Sequence, residues 1–236
     1  MEQFSQLDFT GQTIFAGIDV HKKSWKVCLR NDEMELRTFS QNPSAQELIT
    51  HLEKNYPFAS YKVVYEAGFC GFHYQRAFAD AGLDCIVVHP ADVPTSDKEK
   101  QTKSDAVDCR KLSKTLSKNE LKGIFVPKLE QQEDRGIIRV YQQMIKNQTR
   151  CKNQIRGWLN FQGIRTDRDQ RYWSNNFIKW LKTVPLGLSA RVNLDLLIQN
   201  YEQTRQMVLA ATKQVRLLSK VERYKQKIGL SEVCLG

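Results

Sequence analysis

Apolar positions along the first part of the chain come in short, β-branched runs. Thr13 to Val20 (TIFAGIDV) is one such run, closing around a carboxylate, and it is followed by the strand-like pieces WKVCLR and ELRTFS at short intervals. Three strands joined by short turns are predicted here. Ser44 to Asn55 (SAQELITHLEKN) instead spaces Leu48, Ile49 and Leu52 as one face of a helix, with Ser44 as N-cap and Glu47 placed for a capping box. Tyr61 to Ala67 (YKVVYEA) reads as a buried strand, Gly71 to Ala81 as a helix, and Asp84 to His89 (DCIVVH) as a further buried strand. The order βββ then αβαβ predicts an α/β domain: a mixed five-stranded sheet with three meander-like strands first and crossover helices afterwards, the order of ribonuclease-H-like folds, with other α/β folds still open.

Beyond that point the period changes. Pro90 to Lys103 is polar, with two prolines, and reads as a loop; Ser104 then caps a helix through DAVDCRKLSKTLSK. A strand-like piece is expected at Gly123–Val126 before Pro127. Glu130 to about Phe161 carries Ile137, Ile138, Tyr141, Ile145, Ile155, Trp158 and Leu159 at helical spacing, and Leu194 to Tyr224 repeats the pattern with Leu197, Tyr201, Met207, Val208, Ala211, Val215 and Leu218. Two long amphipathic helices with a shorter piece between them suit a hairpin or a dimerising coiled coil. The expected division is 1–127 for the α/β domain, 128–228 for the basic helical region and 229–236 for a short tail.

Charge sharpens this division. Residues 1–109 hold 11 Lys and Arg against 16 Asp and Glu, whereas residues 110–236 hold 25 against 10, so the excess of +10 is entirely C-terminal. An acidic part that attracts cations precedes a basic part suited to a polyphosphate backbone, although lysine-rich soluble helices have the same composition. No run of about 18 apolar residues and no signal-like N-terminus occur, which points to a cytoplasmic protein without membrane spans. The six cysteines show no CxxC pairing and are expected to be reduced and structural.

Two carboxylates stand at strand ends, Asp19 and Glu66, where a buried acid needs a cation or hydrogen-bond donors. Asp105 and Asp108 share one face of a first helical turn. Such a helical pair also simply complements the helix dipole. Together the four offer oxygen donors for hard divalent ions: Mg²⁺, as a pair of ions, with Mn²⁺ as the substitute. His21 and Lys22 follow the Asp19 strand and either reach a scissile phosphate or form a solvated turn. Lys111, Lys114 and Lys118 suit a phosphate track or a soluble helix face. Arg150, Arg156, Arg165, Arg168 and Arg171, interleaved with Trp158, Phe161, Tyr172, Trp173 and Trp180, suit stacking on and neutralising nucleic acid, or ordinary helix packing with a basic outer face.

AGIDVHK with Asp19, YEAG with Glu66, and KSDAVDCRKL with Asp105 and Asp108 resemble the DEDD transposases of the bridge-RNA-guided insertion sequences, relatives of the Piv-type DNA invertases. The likeness extends to about Lys227. It implies a RuvC-like domain whose four acids are catalytic Mg²⁺ ligands, a coiled-coil region supporting a dimer or tetramer, DNA as substrate, a guide RNA that selects target and donor, and a bacterial or archaeal cytoplasm. It also implies a C-terminal serine domain introduced by a proline- and glycine-rich hairpin. This chain reads GLSEVCLG at that point, and Ser231 lacks the family's surroundings. Two alternatives to a complete transposase stay open: a noncatalytic RNA- and DNA-binding module, and a stand-alone junction nuclease.

Overall fold

A computed structural model describes residues 8–94, 105–166 and 173–224. The chain divides into two compact units, Met1–Val126 and Pro127–Gly236.

In the first unit, strands β1 (Thr13–Val20), β2 (Trp25–Arg30) and β3 (Glu35–Gln41) form an antiparallel meander, and β4 (Ser60–Glu66) and β5 (Asp84–Val88) add in parallel on the other side of β1. The resulting order, β3-β2-β1-β4-β5, is the ribonuclease-H-like sheet. β1 is central, which explains why its sequence is continuously apolar: both faces are covered.

Alternation along the strands sorts side chains between two cores. Ile14, Ala16 and Ile18 of β1 join Val63 and Tyr65 of β4 beneath α1 (Ala45–Asn55) and α2 (His73–Asp80), with Trp25, Leu48, Leu52 and Phe78 fully buried there. Phe15 and Val64, of opposite parity, pack with Val88 against Leu112 and Leu116 of α3 (Asp105–Ser117). Ser44 caps α1 by accepting from the Glu47 amide at 3.2 Å. The predicted box is only half formed, because the Glu47 carboxylate accepts from the Asn42 side chain instead.

The helix α3 lies directly on β1 at Gly17. A methyl group there would overlap the carbonyl oxygen of Cys109 and the amide nitrogen of Ser113. Glycine is therefore required by close approach of helix and strand. The piece Gly123–Val126, expected as a strand, forms none. It follows β5 through a single backbone bond, Ile124 N–H to Val87 O at 2.7 Å, and a ladder needs repeated pairs.

The second unit contains α4 (Leu129–Phe161), α5 (Asn175–Thr183) and α6 (Leu188–Ser219). α4 and α6 run antiparallel: Cys151 meets Thr204, and Asp134 near the start of α4 meets Arg223 just past the end of α6. Cys151, Ile155 and Leu159 interlock with Phe177, Ile178 and Leu181 of α5 and with Leu194, Ile198 and Tyr201 of α6. α6 starts six residues before the predicted Leu194, because Arg191 donates to the Leu181 and Val184 carbonyls and to Asp195, a polar start that apolar periodicity does not register. Toward the other end of the helix pair, Ile138, Val140, Met207 and Leu209 are exposed. No described helix is long and apolar enough to cross a membrane.

Candidate metal centre

The sheet delivers two of the acids by register. β1 and β4 pair in parallel up to Ile18 and Tyr65, and the next residue on each strand is an acid, Asp19 and Glu66. Ile18 and Tyr65 both belong to the α1–α2 core, so Asp19 and Glu66 have the parity of Phe15 and Val64, the face that α3 covers. The first turn of α3 carries Asp105 and Asp108. Seating α3 on Gly17, two residues before Asp19, brings that turn toward Asp19, and among the described residues the close group of ligand atoms includes Asp105 but not Glu66 or Asp108.

His21 connects the two sources. Its Nε2 is 3.1 Å from Asp19 Oδ2 and 3.7 Å from Asp105 Oδ1, with Asp19 the least accessible of the three side chains. One ligand atom from each of Asp19, His21 and Asp105 lies within 4.8 Å of the others, so this group is able to hold a metal ion. Burial raises the Asp19 carboxyl above the ordinary carboxylate value; His21 opposes this by charge and hydrogen bond, and Asp105 and Asp108 add to it by like-charge repulsion. The charge balance around Asp19 is thus short of positive charge, and hard carboxylate donors supply what a divalent cation prefers.

Around this centre, Lys22 holds its ammonium 5.8 Å from the centroid of the exposed Phe69 ring, joining the turn after β1 to the turn after β4. Arg110 clamps Glu35 with Nε 3.0 and 3.1 Å from the two carboxylate oxygens and so ties α3 to β3. Cys109, under the helix, is buried with its thiol pushed up to about 12, mainly by desolvation and then by Cys28; all five described cysteines are free. His89 accepts from the Ala91 amide and caps a 3₁₀ turn at Pro90–Asp92, while His73 packs on Tyr74, so neither belongs to the metal group.

The other sequence candidates fall into three groups. Lys114 is exposed and Lys111 half-buried on α3; Arg150, Arg156 and Arg165 are exposed on the second unit; Arg168, Arg171, Tyr172, Ser104 and Ser231 lie outside the described residues. Of the two readings of the aromatic residues, helix packing describes most of the rings that the structure places. Trp158, Trp173 and Trp180 pack on the second unit's core, Trp173 edge-on to Phe177 and tilted on Tyr201, while Phe161 is 86% exposed. Packing within the second unit therefore engages three of the rings. Sequence reading missed the place of His21 beside Asp19 and Asp105; its closeness in sequence to Asp19 was the only signal.

A ribonuclease-H-like sheet with an acid at the end of each of two neighbouring parallel strands defines the class of this protein. The chain belongs to the IS110-type DEDD transposase family: the family model, described as transposase, matches residues 16–162. It is 22% identical over 225 residues to the transposase for insertion sequence element IS1533 of Leptospira borgpetersenii, covering 92% of this chain and 64% of that protein. It is also 22% identical over 210 residues to the transposase for insertion sequence element IS1111A of Coxiella burnetii, covering 83% of this chain and 55% of that protein. The chain thus spans a little over half the length of these relatives.

Proposed function

We propose that this chain supplies the divalent-metal site of an insertion-sequence transposase, with Asp19, Glu66, Asp105 and Asp108 as Mg²⁺ ligands acting on DNA phosphodiesters. One observation carries the reading: strand parity sends Asp19 and Glu66 to the face covered by α3, whose first turn bears the other two acids. Bound divalent ions supply activation of the attacking oxygen and stabilisation of the leaving one. The residues' own part is positional. Gly17 sets how closely the helix-borne acids approach the strand-borne pair, and the half-buried site of Asp19 strengthens its interaction with a cation relative to water.

On this reading the basic second unit, including Arg150, Arg156 and Arg165 together with Arg168 and Arg171, contacts nucleic acid backbone, and Lys22, Lys111 and Lys114 do so near the acids. A guide RNA selects the DNA, and the chain works as a dimer or tetramer; the support for both is the likeness of AGIDVHK, YEAG and KSDAVDCRKL to the bridge-RNA-guided family.

The test is calorimetric titration of Mg²⁺ and Mn²⁺ into the wild-type chain and Asp19→Ala, beside binding of structured RNA and branched DNA across a salt series. Saturable metal binding lost in the variant, with nucleic-acid affinity falling steeply as salt rises, is expected. Equal weak metal binding by both proteins would remove the metal site from the reading.

A further inference from the structure

We propose that His21 is a fifth member of this centre: a nitrogen ligand, through Nε2, to the ion held by Asp19 and Asp105, which shifts the site's preference from Mg²⁺ toward Mn²⁺. This rests on the metal-site reading above and specifies its donor set.

Position is the first ground. His21 directly follows β1, which ends at Val20, and its ring turns back to within hydrogen-bond distance of Asp19 near the strand's end. Distance is the second. Adjacent donors of an octahedral shell, each roughly 2.1 Å from the ion, stand roughly 3 Å apart. The 3.1 Å between His21 Nε2 and Asp19 Oδ2, now a hydrogen bond, matches such an edge once the ion replaces the shared proton, which leaves to solvent while Nδ1 keeps its own; the 3.7 Å to Asp105 Oδ1 closes to it with a small side-chain rotation. Asp105 is 66% exposed at its side chain and His21 53%, so both have room to make that adjustment. Contact with two carboxylates from different elements is the third ground. A histidine serving one acid alone would not need to bring the same nitrogen close to α3 as well.

The chemical consequence follows from donor type. Mg²⁺ prefers an all-oxygen shell and keeps its waters, whereas transition ions accept imidazole readily. Replacing one oxygen or water position by nitrogen therefore favours Mn²⁺ in competition with Mg²⁺.

The experiment is pulsed electron paramagnetic resonance on Mn²⁺ bound to the full chain, comparing wild type with His21→Ala, His21→Gln and Asp19→Ala, together with competitive Mn²⁺ and Mg²⁺ binding. Wild type is expected to show nitrogen modulation from one imidazole, absent in His21→Ala and His21→Gln. Those two variants still bind metal, with the Mn²⁺-over-Mg²⁺ preference reduced about tenfold or more. Mn²⁺ bound by wild type without nitrogen coupling, or coupling that survives in His21→Ala, overturns the ligand role and leaves the carboxylate site standing. Absence of saturable Mn²⁺ binding by wild type overturns this inference and the metal-site reading together. Circular dichroism confirms that the variants are folded; the largely exposed His21 ring makes both substitutions structurally mild.

Discussion

Asp19 holds a charge at a structural cost. Its carboxyl binds a proton more tightly in the folded chain than in the unfolded one, so its ionisation opposes folding. The penalty is absent below the ordinary carboxylate range and fully present once pH passes the raised value. Asp19→Asn is therefore expected to melt a few degrees above wild type at pH 7 in a chelator, and level with it near pH 3. Saturating Mn²⁺ reverses the order, because only wild type gains stability from the bound ion. Thermal melts at the two pH values, with and without metal, check all three arms. Asp19 and Glu66 stood out in sequence because a carboxylate closing an apolar run is conspicuous, and Asp105 and Asp108 because their spacing puts them on one face of a helical turn. His21 did not, since a histidine after a strand also suits a turn or a phosphate, and only the placement of α3 shows that it reaches Asp105.

Among elements, the decisive contact is α3 on β1. Gly17→Ala forces a methyl against two backbone atoms that have no flexible side chain to yield, and overpacking of this kind costs about 1–3 kcal/mol. Urea denaturation is expected to show that loss, and metal affinity should fall with it as Asp105 and Asp108 are pushed away. Gly157, inside α4 with open space around it, has the opposite sign: Gly157→Ala should stabilise the second unit by about 0.5–1 kcal/mol in the same assay. Most elements were readable from period alone, because strands buried on both faces and long helices leave strong patterns. The misses share one cause, a polar or backbone contact without hydrophobic periodicity: Arg191 at the start of α6, and the lone Ile124–Val87 bond where a strand was expected.

Across the whole molecule, the two units concentrate their stabilising contacts differently. The second unit fastens the start of α4 to the residues after α6 through Asp134, whose Oδ2 accepts from Arg223 Nε at 2.9 Å and from the Tyr224 hydroxyl at 2.8 Å. Asp134 is buried, so Asp134→Ala leaves donors without an acceptor and should cost about 1–3 kcal/mol. Hydrogen exchange is expected to show faster opening of the early turns of α4 and late turns of α6, with metal binding at the first unit unchanged. The change of charge falls after residue 109, well before the second unit begins at Pro127, and the aromatic residues left two readings open in sequence because rings that suit a nucleobase also suit a helix core.

Gly17 has a further consequence for how this protein tolerates change. The gap between Asp19 and the helix-borne acids is gauged by the direct seating of one backbone on another, so the length of chain that joins β5 to α3 does not enter it. The site behaves as a lock whose two plates are aligned by a pin rather than by the strap between them. Adding several residues between Pro94 and Asp105 should leave Mn²⁺ affinity within about twofold of wild type, because lengthening a connection by a few residues costs only a fraction of a kcal/mol. A single added carbon at Gly17 should do more damage than the whole insertion.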